Sequence, residues 1–185
     1  MRKRLVGVLL AGLVAAGCGS SGGSPEAGAP APQPVDDAPK SDRKAPAKVT
    51  DIPNKCGVLT EQQQQEMGMH TPPQARDSNG TAGCQYQQGE LGQPGWSAFV
   101  GVSGHSSFDK QVKKQASANP EKSEVAGYPV AKVRLSTGCV LYADTADKGF
   151  LIANLVQNSA TDAPVDLCQQ AEKVTEAALQ NVPNA

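Results

Sequence analysis

Gly149-Phe150-Leu151-Ile152-Ala153-Asn154-Leu155-Val156-Gln157 is the most apolar run in residues 55–185. A run of this length and composition reads as a buried strand, and here as the central strand of a sheet. Just ahead of it, residues 129–136 and 139–143 give two more strands. Ala131, Val133 and Leu135 of the first alternate with Lys132 and Arg134, so the aliphatic set is expected to face the core and the cations solvent. The tight Ser136-Thr137-Gly138 turn makes those two a hairpin.

Working outward, Ser107 caps a helix predicted to reach Ala118, with Phe108, Val112 and Ala116 as its apolar stripe and Asn119-Pro120 as its stop. Upstream, Cys84-Gln85-Tyr86-Gln87 alternates as one strand. Trp96, Ala98, Val100 and Val102 alternate with Ser97, Phe99, Gly101 and Ser103 in a stronger one, after a hairpin loop over 89–95. Thr60-Glu61-Gln62-Gln63 has capping-box spacing and starts a helix that Gly68 ends. Residues 69–83 read as loop, broken by Pro72-Pro73 and Asn79-Gly80. A final helix is predicted over 165–181, started near Asp162, stopped by Pro183, and striped by Leu167, Ala171, Val174 and Ala178. This order gives an α+β domain: an antiparallel sheet of about five strands, packed with three helices and covered by them on one face.

The N-terminal end has another character. Arg2, Lys3 and Arg4 precede an apolar run from Leu5 to Ala16, and Val14-Ala15-Ala16-Gly17-Cys18 follows the pattern of a secretory cleavage site. The apolar stretch is about a dozen residues, short of the roughly 20 that span a bilayer. A cysteine directly after Ala-Gly resembles the lipoprotein signals of bacteria. The resemblance implies a signal peptide over 1–17, a diacylglycerol group on Cys18, and a lipid-anchored protein on the outer face of the cytoplasmic membrane. Residues 18–54 carry seven prolines and hardly any large apolar side chain, and are expected to form a disordered tether. Its reach lies between a coil of about 35 Å and a polyproline length of about 110 Å. Residues 55–185 are then one globular domain.

Three of the 17 basic residues lie in 1–17, which leaves 14 against 18 acidic ones and a net charge of −4. That balance excludes an electrostatic nucleic-acid footprint and leaves lipid as the only membrane contact. Beyond Cys18 there are four cysteines, Cys56, Cys84, Cys139 and Cys168. An even number in an exported chain reads as two disulfides, with three possible pairings. Their wide spacings and the absence of a C-x-x-C pair argue against a metal site.

Residues 54–182 resemble the actinobacterial lipoproteins of the DUF3558 family. The resemblance rests on Cys56-Gly57-Val58-Leu59-Thr60, on Cys84 followed by Tyr86, on Gly127-Tyr128-Pro129-Val130-Ala131, on Gly138-Cys139, and on Cys168 in a C-terminal helix. Tyr86 stands where the family commonly has Trp. The resemblance implies the fold, the anchor and the cysteine framework, and no activity. Cys56–Cys84 with Cys139–Cys168 is the pairing that ties each of two helices to a strand near it in sequence. A looser likeness to Mog1/PsbP-like sheets is a fold analogy alone.

No motif here makes an enzyme. Ser107-Phe108-Asp109-Lys110 matches S-x-x-K, and Ser136-Thr137-Gly138 is faintly like K-T-G, but S-D-N is missing and a cap and a turn explain both. Gly101-Val102-Ser103-Gly104-His105 misses G-x-S-x-G by one residue, His70 reads as a loop residue, and Asn79-Gly80-Thr81 as a turn rather than a glycosylation site. No cofactor fingerprint is present. The expectation is a non-catalytic domain that binds or senses a small or lipidic ligand in a cleft lined by Trp96, Phe99, Tyr128, Tyr142 and Phe150. The alternative is an adaptor that docks an envelope protein through an apolar patch.

Overall fold

The structure is a computed structural model, and it describes residues 41–90, 93–158 and 165–185. The signal peptide, Cys18 and the tether up to residue 40 lie outside the described residues, as does Asp162. Seven antiparallel strands form one sheet: β1 (Gln74–Ser78), β2 (Thr81–Gln88), β3 (Trp96–Ser103), β4 (Glu121–Val125), β5 (Tyr128–Leu135), β6 (Gly138–Ala146) and β7 (Gly149–Gln157). Their spatial order is β1-β2-β3-β7-β6-β5-β4, so the apolar run at 149–157 is the middle strand. Helix α1 (Glu61–Glu66) follows a 3-10 turn at Lys55–Val58, α2 (Phe108–Lys114) joins β3 to β4, and α3 (Leu167–Asn181) closes the chain.

The sheet has seven strands rather than about five because both edges are polar. Gln74-Ala75-Arg76-Asp77-Ser78 and Glu121-Lys122-Ser123-Glu124-Val125 bury little, so neither shows the hydrophobic alternation that reveals an inner strand. Asn79-Gly80, expected to break a loop, is the two-residue turn of the β1–β2 hairpin. Both residues are at positive φ, 51° and 75°, as a type I′ turn demands.

Helices cover both faces, not one. Trp96, Ala98, Val100, Leu141, Ala143, Leu151, Ala153 and Leu155 face α3 in the larger core. Ala131, Val133, Val140, Tyr142 and Phe150 project the other way and pack under Phe108 and Val112 of α2. Residues that alternate along β5, β6 and β7 are therefore apolar on both sides, as a central strand requires. Leu141, Leu151 and Leu155 have no exposed surface, and each contributes about 1.5–3 kcal/mol by burial. The outward role expected for Lys132 is overturned. It lies on the α3 side, where its ammonium meets Glu172 of α3 at 2.9 Å.

The capping box of α1 is present: Thr60 Oγ1 accepts from Gln63 N–H, and the Gln63 side chain accepts from Thr60 N–H. Helix α3 is capped by Asp166 rather than from Asp162, its carboxylate accepting from Cys168 and Gln169 N–H. Disulfides join Cys56 to Cys84 and Cys139 to Cys168, with Cα–Cα distances of 5.0 and 5.1 Å. The second fixes α3 to β6, and the first fixes the 3-10 turn to β2.

Residues 41–54 depart most from expectation. Composition assigned them to the tether, but they form a strap bound along one end of the sheet. Lys44 N–H donates to Gly127 O at 2.8 Å, Lys48 N–H to Thr145 O at 2.7 Å, and Val49 N–H to Pro183 O at 2.9 Å, while Ala185 N–H donates to Ala47 O at 2.8 Å. The Tyr128 hydroxyl donates to Pro46 O at 2.6 Å, and Ile52 is buried in the larger core. A few anchors hold a segment whose average composition is that of a linker, because backbone hydrogen bonds carry no composition signal.

Candidate functional site

The strap starts where α2, β5 and the β6–β7 turn meet, and it leaves there a cleft of about 610 Å³. Ser41 and Arg43 supply one wall. Residues 104–107, the loop that leads into α2, supply a second, and Asp144, Asp147 and Lys148 a third. Thr50, further along the strap, rests against Gly104 and Gly149, which brings the strap close to both loops.

An ion-pair cluster organises the cleft. Arg43 Nη1 lies 2.7 Å from Asp144 Oδ1, and Nη2 contacts Asp147. Ser41 Oγ donates to Asp144 Oδ2 at 2.5 Å and accepts from Arg43 N–H at 3.2 Å. The Arg43 and Asp144 side chains are 11% and 10% exposed, whereas Asp147 is largely in solvent. Burial alone would depress the Arg43 guanidinium, but its hydrogen bonds and charge contacts with Asp147 and Asp144 outweigh that and hold it above its ordinary value. Lys110, Lys113 and Lys148 also line the cleft, and none of them forms an ion pair among the described residues. Asp42 and Asp109 balance the charge, so the cleft is near neutral, and its charged side chains alternate with the apolar surface of Phe108, Pro129 and Ala146.

The five aromatics expected to line one cleft do not meet in one. Trp96 and Tyr128 belong to the core under α3, Tyr142 and Phe150 to the core under α2, and the latter two rings pack edge to face at 5.8 Å. Phe99 lies across Gly83 and Gly101 on the α2 side of the sheet, and all five are at most 6% exposed. They are core residues, divided by the alternation of the strands that carry them. Burial pushes the Tyr86, Tyr128 and Tyr142 hydroxyls up; that of Tyr86 donates to Cys56 O at 3.0 Å.

Ser107 Oγ accepts from Lys110 N–H at 3.4 Å and caps α2, so the S-x-x-K match is a helix start. Ser136-Thr137-Gly138 sits at the opposite end of β5, about 20 Å away at the rise of a strand. His105 is an exposed residue of the cleft rim and His70 an exposed residue after α1. Sequence reading missed Ser41, Arg43, Asp144 and Asp147. The one signal, and for the strap residues alone, was the charged Ser41-Asp42-Arg43-Lys44 interrupting a stretch of Pro and Ala.

Beyond this cleft, the α2-side face carries exposed apolar residues at the far ends of β5 and β7. Leu135 (49% exposed) and Val156 (39% exposed) flank Gly138 there. Among the described residues no helix is long and apolar enough to cross a membrane, and no group of His, Cys, Asp and Glu is placed to hold a metal ion.

No curated protein and no solved structure matches the chain. The family model described as protein of unknown function (DUF3558) matches residues 13–181, nearly the whole chain, and the protein belongs to that family.

Proposed function

We propose that this is an actinobacterial envelope lipoprotein, anchored through lipid on Cys18, whose non-catalytic domain binds a small polar ligand in the strap cleft. The observation that supports this reading is the cleft itself: an opening of about 610 Å³ with a buried, fully engaged Arg43–Asp144 pair at its wall and, beside it, three cations that form no ion pair among the described residues. The engaged pair pre-forms the site, and Lys110, Lys113 and Lys148 are free to meet an anionic or zwitterionic group. A lipidic ligand would need broad apolar walls, and Trp96, Phe99, Tyr128, Tyr142 and Phe150, expected to supply them, are buried away from the cleft. The Mog1/PsbP analogy concerns the layering of sheet and helices and supplies no ligand.

Native mass spectrometry of the exported full chain tests this. A reproducible added mass that disappears in Lys110→Ala/Lys148→Ala supports the cleft. A clean mass, or an added mass indifferent to those changes, refutes it. The adaptor reading has its own support in exposed Leu135 and Val156, and an envelope protein photo-cross-linked from position 156 but not from 148 would favour it.

A further inference from the structure

The two edges of the sheet are not equivalent. Strand β4 is joined to β5 by the two-residue turn Ala126-Gly127, both at positive φ, 50° and 84°. In such a hairpin the closing pair, Val125 and Tyr128, exchanges both hydrogen bonds, and bonded pairs recur at every second residue. Ser123–Val130 and Glu121–Lys132 are then the inner bonded pairs, which turns the peptide groups of Lys122 and Glu124 outward. Those two residues are exposed and carry opposite charges. Lys122 forms no ion pair among the described residues, and Glu124 meets only Lys44, 2.6 Å away on the surface.

We propose that β4 is a self-recognition edge, which pairs antiparallel with β4 of a second copy of this chain about a two-fold axis at Ser123. In that register Lys122 lies opposite Glu124 of the second copy, and Glu124 opposite its Lys122. The four outward peptide groups exchange four hydrogen bonds, and both cross-strand pairs join unlike charges. The two sheets become one of fourteen strands, counted from seven in each copy. Strand β1 fails the same test. Its corresponding axis passes through Arg76 and sets two guanidinium groups opposite each other, a repulsive pair. One edge thus invites its own image and the other rejects it. The contact is small and therefore transient, and crowding of chains on a shared surface would raise its occupancy.

The test uses the full chain in detergent, from about 1 μM to 1 mM, the range in which small interfaces associate. Sedimentation should show a monomer–dimer equilibrium. Lys122→Glu should weaken it by at least about tenfold, and Lys122→Glu/Glu124→Lys should restore it, since the swap preserves the complementarity. In a mixture of isotopically light and heavy wild-type chains, a zero-length amine–carboxyl cross-linker should join Lys122 of one to Glu124 of the other. A monomer throughout, association unchanged by Lys122→Glu, or open-ended growth with Asp77 linked to Lys122 would each overturn the proposal, the last because it marks head-to-tail pairing of β1 with β4.

Discussion

Replacing Asp144 by Ala takes from Arg43 its buried carboxylate and from the Ser41 hydroxyl its acceptor. Removing one partner of a fully buried ion pair costs about 3–5 kcal/mol. Asp147 stays in contact with Arg43 from the solvent side, so the loss should be nearer 2–3 kcal/mol, which is about a 30- to 150-fold change in an opening equilibrium. The strap is the part that opens, because the sheet beneath it keeps its own hydrogen bonds and both disulfides. Hydrogen exchange at the Lys44, Lys48 and Val49 amides, bonded to Gly127, Thr145 and Pro183, reads this opening directly. Those amides should exchange faster by about that factor, while Leu141 and Leu155 amides stay slow. The double change Arg43→Met/Asp144→Leu, which removes both charges, should cost less than Asp144→Ala alone. Strap exchange in Asp144→Ala within about threefold of wild type would refute the reasoning and leave Ile52 and the backbone as what holds the strap.

Converting Cys139 and Cys168 together to Ala should lower stability by about 3–4 kcal/mol on the chain-entropy account of a 29-residue separation; urea unfolding that shifts by less than about 1 kcal/mol would contradict it. Leu155→Ala, at the centre of the larger core with no exposed surface, should cost about 2–5 kcal/mol, against under about 1 for the exposed Leu135→Ala measured alongside. Tyr86, Tyr128 and Tyr142 titrate higher folded than the ordinary 10.0, so their contribution is complete below that pH and is lost as pH rises through the folded values. Stability should fall above pH 10 by up to about 4 kcal/mol per pH unit for the three, and less steeply in Tyr142→Phe; a flat urea midpoint between pH 10 and 11 would rule this out. Lys48, depressed by burial, acts oppositely and adds stability as pH approaches its ordinary 10.5 from below. Intact mass of the detergent-extracted protein should show acyl chains that Cys18→Ala lacks, and a variant that still partitions to membrane would remove the anchor from the proposal.

What the sequence disclosed follows how strongly each segment is buried. The run at 149–157 announced itself because Leu151, Ala153 and Leu155 fill one core while Phe150 and Ile152 pack into the other, and the helix caps at Thr60 and Ser107 were legible because capping is local. Ala131, Val133 and Leu135 were taken as the core side of β5, which was right for the first two and silent about the other face, where Val130 and Tyr128 are equally buried. Alternation shows one face at a time, so a sheet sandwiched between helices is easily read as half of one. Strands β1 and β4 were hidden because an edge needs charge against aggregation more than it needs apolar surface. The cleft was hidden for a different reason. Arg43 and Asp144 are 101 residues apart, and nothing local to either marks the other as its partner.

The strap also decides how the domain is held. Any load on the chain ahead of Ser41 enters the fold not at its first disulfide but through Arg43 and Lys48, onto β6, the neighbour of the central strand. The load is shared between Gly127, Thr145 and Pro183, positions far apart in sequence, before it can reach Cys56. A pull would therefore have to break a salt bridge and several hydrogen bonds in turn before it reaches the first disulfide. Under such a pull the strap would act as a strain-relief clip, and that clip is also a wall of the cleft. Tension and occupancy of the cleft then bear on the same few residues.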